Sequence, residues 1–229
     1  FTDSTRLDFK TFIYNILSLN YLEEKNYEES ISNYKKALSI TKTEISKLII
    51  QNNIAYNYLK QSKFYEAKNI LGSIKNNDTL KNEKLEYARV VDNLGYAKFK
   101  LNDKTAIDDL IKSKKIREEK QDDVGLTATS IHLAEYYEKS DNNLAKTYAL
   151  RTLKYASKVK NADDKLEALQ YLTKVSIGEE SKKYAIQSFV LNDSIKTVRQ
   201  EAKNQFAKIK YDSKKAIEES IKQKQLKEY

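Results

Sequence analysis

The stretch Asn93-Leu94-Gly95-Tyr96, followed at Ala106, Leu110 and Ser113 by a second set of small and apolar residues, decides the fold. Each set falls at the three- and four-residue spacings that share one face of an α-helix. The pair therefore reads as two short amphipathic helices. The same pattern returns along the chain: equivalent apolar residues stand at Leu17, Ile54, Leu94, Leu133 and Leu172, which are 37, 40, 39 and 39 residues apart. A period in that range, with no strand pattern between copies, signals stacked helical hairpins.

The first copy shows why. Tyr14, Leu17, Ser18 and Tyr21 share one helical face, Lys25-Asn26 forms a polar break, and Ser30, Tyr34 and Ala37 make a second face. Small residues let two backbones approach while the aromatic ring fills the remaining gap. Later copies follow with Ile54, Ala55 and Tyr58 before Ala67, Leu71 and Ile74. Leu133, Ala134 and Tyr137 precede Ala145, Ala149 and Thr152, and Leu172, Thr173 and Ser176 precede Ala185 and Phe189.

Over about residues 11–192 this set resembles the tetratricopeptide repeats, whose first helix carries a large, a small and an aromatic residue. The chain departs from that pattern in three ways: its period exceeds the usual value of about 34, the tryptophan slot is never filled, and no proline closes a unit. The resemblance implies an all-α, right-handed superhelix of about five hairpins over residues 1–192. Armadillo-type helical repeats are the alternative assignment. Pro is absent and Gly occurs only 4 times in 229 residues, which suits an all-helical chain.

Residues 193–229 read as a separate long helix. Asp193-Ser194 offers an N-cap, and Ile195, Val198, Ala202, Phe206, Ile209, Ala216 and Ile221 carry a thinning apolar stripe. The expectation is a cap over the last hairpin that protrudes beyond about Tyr211 and is available for homodimer pairing. The segment Asn204-Gln205-Phe206-Ala207-Lys208-Ile209-Lys210-Tyr211-Asp212 resembles the end of the repeat region in Bacteroidetes-type membrane signalling proteins. That resemblance implies an extracytoplasmic (periplasmic) sensor region, a membrane span just beyond the C-terminus, and a histidine kinase or helix-turn-helix output. The chain lacks methionine and begins at Phe1, so something is expected to have been removed from the front. The absence of cysteine fits an exported protein and a cytoplasmic one alike.

Catalytic chemistry finds few residues to carry it. His132 is the only histidine and there is no cysteine, which argues against nucleophile–imidazole pairs and thiolate zinc sites. His132, beside Leu133, reads as a packed or groove-lining side chain. The pairs Glu28-Glu29, Asp108-Asp109, Glu118-Glu119, Asp122-Asp123, Asp163-Asp164 and Glu179-Glu180 put adjacent residues about 100° apart on a helix. Such pairs suit first-turn capping and solvation better than acid–base work. The isolated glycines Gly72, Gly95, Gly125 and Gly178 form no phosphate-binding cluster. Gly95 reads as a close helix contact and the others as turns or helix ends. No catalytic residue, metal or cofactor is expected. The formal charge of +9 divides into +4 over residues 193–229 and +5 over the rest, too thin a surplus to imply nucleic acid.

In tetratricopeptide proteins the first helices line a concave face. The resemblance carries that face here onto Asn15 and Leu19, Asn52 and Tyr56, Asp92 and Tyr96, Ile131 and Glu135, and Gln170 and Lys174. Asn15, Asn52, Tyr56, Asp92, Tyr96, Glu135 and Lys174 are the candidate binding residues, their amides, phenols and charges suiting a peptide or protein ligand. The basic and asparagine pattern of carboxylate-clamp members is absent: Leu19, Asn93, Ala128 and His132 stand in several of its slots. The expected function is ligand or protein binding in a transmembrane signalling protein, the alternative being a cytoplasmic adaptor or peptide-responsive regulator.

Overall fold

The structure, a computed structural model, describes the backbone of residues 3–227 and the side chains of residues 7–209 and 211–215. Helices α1 (Asp3–Glu23) and α2 (Tyr27–Ile40) form the first hairpin, α3 (Glu44–Lys60) and α4 (Phe64–Ile74) the second. After the short α5 (Asp78–Asn82) come α6 (Lys84–Lys100) with α7 (Ala106–Glu119), and α8 (Asp123–Tyr137) with α9 (Asn142–Lys158). The fifth pairs α10 (Ala162–Val175) with α11 (Gly178–Lys227). Within the described residues the fold is all-α.

Each second helix packs against the first helix of the following hairpin: α2 on α3, α4 on α6, α7 on α8 and α9 on α10. The core is one band of such contacts, with Ala55, Leu71, Leu94, Ala106, Leu110, Leu133, Ala149 and Leu172 almost wholly withdrawn from solvent. Gly95 marks a close approach of α6 to α7. A Cβ there would lie 3.0 Å from Leu110 and 3.1 Å from the Ala106 carbonyl oxygen.

The hairpins close without proline by a recurring helix stop. Lys25, Ser62, Asn102, Gln121 and Lys160 each take φ between 54° and 58° just past the ends of α1, α3, α6, α7 and α9. The next residue's N–H reaches back to the last turn, as in Lys63 to the Tyr58 carbonyl at 2.9 Å and Asp122 to the Arg117 carbonyl at 2.9 Å. This is the Schellman arrangement, here built on side-chain-bearing residues where glycine is the commoner choice. Side chains of Asn26, Thr43, Asp122, Asp141 and Asn161 then cap the following helices.

The expected helix start at Asp193-Ser194 is absent. Residues 186–197 contain neither Gly nor Pro, and a capping side chain alone does not interrupt a helix, so α11 runs unbroken for 50 residues. At about 1.5 Å per residue it is about 75 Å long. Arg199 Nη2 donates to both carboxylate oxygens of Asp163, at 2.7 and 2.9 Å, and ties α11 to the N-terminal end of α10. The fifth hairpin also differs in register. The Ser181 hydroxyl donates to the Thr173 carbonyl at 2.7 Å, just as Ser30 donates to Ser18 at 2.8 Å in the first. Its second-helix stripe is therefore Ser181, Ala185 and Ser188, and Phe189 lies exposed on α11.

Candidate functional site

The first helices α3, α6, α8 and α10 turn one side toward a common cavity of ≈ 520 Å³, which Phe64 at the start of α4 and Thr152 of α9 also touch. Its register follows helical geometry: Asn93, Tyr96 and Lys100 recur at i, i+3 and i+7 on α6, and His132 and Glu135 follow the same row on α8. Tyr56 and Lys60 enter from α3, and Asp164 and Glu167 face them from α10.

Tyr96 is the centre of the aromatic wall. Its ring stacks on His132 with centroids 4.0 Å apart and an interplanar angle of 20°, and meets Phe64 edge-on at 6.4 Å. Its hydroxyl donates to Glu135 at 3.2 Å, and burial together with that carboxylate pushes the phenol well above its ordinary pKa. Lys100 pairs with the same carboxylate at 2.5 Å and lies 4.9 Å from the Tyr96 centroid. Lys60 sits 5.2 Å from the Tyr56 centroid. Burial weighs against its ammonium, yet Tyr56, Glu167 and Tyr27 outweigh that cost and raise its pKa.

On the opposite wall, burial raises the Glu167 carboxyl, and Glu135 and Asp164 add to the rise while Lys60 and His132 oppose it. Burial likewise raises Asp164, with neighbouring Asp163 adding to it. The groove thus sets two carboxyls that gain from a proton or a positive ligand group against aromatic rings and two lysines.

Of the residues expected to bind, Tyr56, Tyr96 and Glu135 line the cavity, as does Ile131. Asn52 and Asp92 do not: both are buried in the packing between repeats. Asn52 accepts a hydrogen bond from Asn93 Nδ2 at 2.9 Å, and Asp92 Oδ2 lies 2.9 Å from His132 Nδ1. Asn52 and Asp92 lie four residues before Tyr56 and Tyr96, about 40° away on the same helices, and turn to partners on the neighbouring first helices instead of the cavity. Asn15 is half-buried on α1, outside the cavity. Gln170 borders a separate depression against α11, and Lys174 is exposed and pairs with Glu138 at 2.6 Å.

Lys60, Lys100, Asn93, Asp164 and Glu167 were not among the expected binding residues. Lys100, at i+7 from Asn93, and Lys60, at i+4 from Tyr56, share their faces and were legible by that spacing. Asp164 carried no such signal, because it stands in the first turn of α10 where acidic residues commonly answer the helix dipole. His132 falls under the groove-lining alternative of its sequence reading. Among the described residues no group of three or more His, Cys, Asp or Glu is arranged to hold a metal.

No protein-family model matches the chain. No curated protein matches it in sequence. Solved structures do share its fold. BtubC (BKLC) from P. vanneervenii superposes with a TM-score of 0.66 at 12% identity, over 85% of this chain and 84% of that one. A Rap protein complexed with competence and sporulation factor gives 0.67 at 15% identity, over 79% of this chain and 52% of the Rap chain. A signal-transduction ATPase with numerous domains and a tetratricopeptide repeat sensor, from Pyrococcus horikoshii, gives 0.64 at 16% identity, over 81% of this chain and 29% of that protein. The fold is that of tetratricopeptide-type helical repeats ending in a long helix.

Proposed function

We propose that this chain is a recognition module that binds an extended polypeptide segment in its concave groove. The observation that carries the reading is the cavity itself, a cleft formed by first helices of four successive repeats and lined by Tyr56, Tyr96, His132 and charged side chains. Rigid aromatic faces supply contact area at low entropic cost, and flanking polar groups select a partner. The fold shared with a Rap protein complexed with competence and sporulation factor, and with a tetratricopeptide repeat sensor, supports recognition over catalysis.

The fuller proposal makes the module the extracytoplasmic sensor of a transmembrane signalling protein, with α11 carrying the ligand-dependent change away from the repeats. It is supported by the likeness of residues 204–212 to that class and by the length of α11. Signalling of this kind requires the ligand to prefer one arrangement of the repeats over another. None of the described helices is long and apolar enough to cross a membrane. A peptide-responsive cytoplasmic regulator, the second reading, uses the same groove and is supported by the Rap likeness.

The test is selection of binders from a displayed random-peptide library, followed by fluorescence-anisotropy titration of the enriched peptides. Changing both Tyr56 and Tyr96 to Ala is expected to weaken them by about 1 kcal/mol per tyrosine without unfolding the chain. Unchanged affinity in the folded double variant would remove the groove from the function.

A further inference from the structure

Most donors in the groove are already committed, and several of its acceptors are not. The Tyr96 hydroxyl and the Lys100 ammonium both engage Glu135, and His132 Nδ1 faces Asp92. Lys60 lies exposed beside the Tyr56 ring. Glu167 lines the cavity but takes part in no hydrogen bond or ion pair among the described residues. Its neighbour Asp164 accepts from the Asn161 amide through one carboxylate oxygen, at 2.7 Å, and leaves the other open.

The buried part of the lining repeats the imbalance. Asn93 lines the cavity yet is only 5% exposed. Its Nδ2 donates to Asn52 at 2.9 Å, while its Oδ1 receives no donor. A polar atom held this way is unfavourable until a donor reaches it. Thr127 and Thr152, buried in the same lining, give their hydroxyl protons to the Asp123 and Tyr148 carbonyls at 3.0 and 3.1 Å. Only lone pairs remain on those two hydroxyls. Unfilled acceptors thus come from α6, α8, α9 and α10 together.

We propose that the groove selects a basic peptide, seating an arginine side chain whose guanidinium donates to Glu167, Asp164 and Asn93. This selectivity, which presupposes that the groove is a polypeptide-binding site, follows from three properties of the guanidinium. It carries five N–H donors and no acceptor, the inverse of the lining. Its planar fork meets a carboxylate with two parallel bonds, where an ammonium offers a point charge. Its weakly hydrated faces pack on aromatic rings, and Tyr56, Phe64 and Tyr96 line the same cavity. Charge agrees, since the carboxyls of Glu135, Asp164 and Glu167 outnumber the ammonium groups of Lys60 and Lys100. An acidic side chain would instead meet lone pairs and carboxylates on α10.

The test starts from displayed random peptides selected on the whole chain, keeping those whose binding is lost in the Tyr56→Ala, Tyr96→Ala double variant. Each is resynthesised with its arginine replaced by citrulline, which keeps the shape and removes the charge, and by lysine. Fluorescence anisotropy then compares the wild type with Glu167→Gln. The groove-dependent peptides are expected to share an arginine. Citrulline in its place is expected to weaken binding about tenfold in the wild type and less than about threefold in Glu167→Gln. Circular dichroism checks helix content, and Asp164→Asn stands in if Glu167→Gln loses it. Groove-dependent peptides without a basic residue overturn the arginine assignment and leave the polypeptide site standing. A citrulline loss of equal size in the wild type and the carboxylate variant also overturns it, as does undiminished affinity with lysine. Selected peptides that all bind the double tyrosine variant unchanged remove the polypeptide site itself, and the arginine with it.

Discussion

Asp92 Oδ2 and His132 Nδ1, from the first helices of consecutive repeats, lie 2.9 Å apart at the edge of the concave groove. Burial alone would raise the Asp92 carboxyl, but His132, Arg117 and Thr129 outweigh it and hold its pKa below the usual carboxylate range. Arg117 is itself buried and donates from Nε to Ser113 at 3.1 Å. Arg117 keeps Asp122 as its ion-pair partner at 3.7 Å, so Asp92→Ala chiefly removes the partner of His132 and is expected to cost about 1–3 kcal/mol in urea unfolding. His132→Ala, which removes a partner nearer the solvent, is expected to cost about 1–3 kcal/mol. Because the folded pKa is depressed, the stabilisation from Asp92 is fully present above the ordinary value of about 3.9 and is lost as pH falls through the folded value.

Asp109 is expected to be a second buried keystone. It accepts from Lys98 at 2.7 Å and pairs with Lys75, joining α4, α6 and α7. Replacing it with Ala strands two ammonium groups and is expected to destabilise by about 3–5 kcal/mol. Asp108→Ala, on the exposed side of the same helix, is expected to stay within about 0.5 kcal/mol of wild type, and thermal unfolding of the pair checks the contrast.

The helix stops carry strain that substitution can release. Ser62 and Gln121 hold φ of 58° and 54°, a region where a Cβ is disfavoured by about 1–2 kcal/mol. Ser62→Gly and Gln121→Gly are expected to stabilise by about 0.5–1 kcal/mol each, after the greater chain entropy of glycine is offset. A higher melting temperature for each variant is the outcome that checks it.

Glu167 has the opposite pH signature to Asp92. Its folded pKa is raised, so its charged form is disfavoured in the fold, and stability is lost as pH rises from the ordinary carboxylate value of about 4.3 through the folded one. Glu167 is solvent-exposed at the groove, so water screens much of this effect, and Glu167→Gln, which mimics the protonated acid, is expected to raise the melting temperature only slightly at neutral pH. The gain should vanish below about pH 4, where the wild-type carboxyl is protonated in both states. Calorimetric scans at the two pH values make the comparison.

The repeat was legible in the sequence because Leu94, Leu133 and Leu172 sit at positions where packing permits little else, and because Gly95 answers a close approach that the period locates. The groove was legible only in part. Tyr56, Tyr96 and Glu135 point into it, while Asn52 and Asp92, chosen by the same rule, are rotated into the stack. Only about 40° of rotation and one turn along the same helix separate Asn52 from Tyr56 and Asp92 from Tyr96, and the sequence pattern does not report which turn a neighbouring helix covers. Asp164 and Glu167 belong to the groove through the curvature that brings α10 opposite α3, a property of the whole stack absent from any local pattern. The continuity of α11 across Asp193 was hidden for another reason: a residue that favours a cap is also tolerated inside a helix with no breaker nearby.

The central claim, that the concave groove is where a ligand binds, is tested most directly by photo-crosslinking a library-selected peptide carrying a benzophenone side chain and mapping the adducts by mass spectrometry. The account predicts adducts on Tyr56, Lys60, Tyr96, His132 and Glu167, competed away by unmodified peptide and lost in the Tyr56→Ala, Tyr96→Ala double variant. Adducts confined to the outer faces of α4, α7 and α9, or to α11 beyond Arg199, would contradict it.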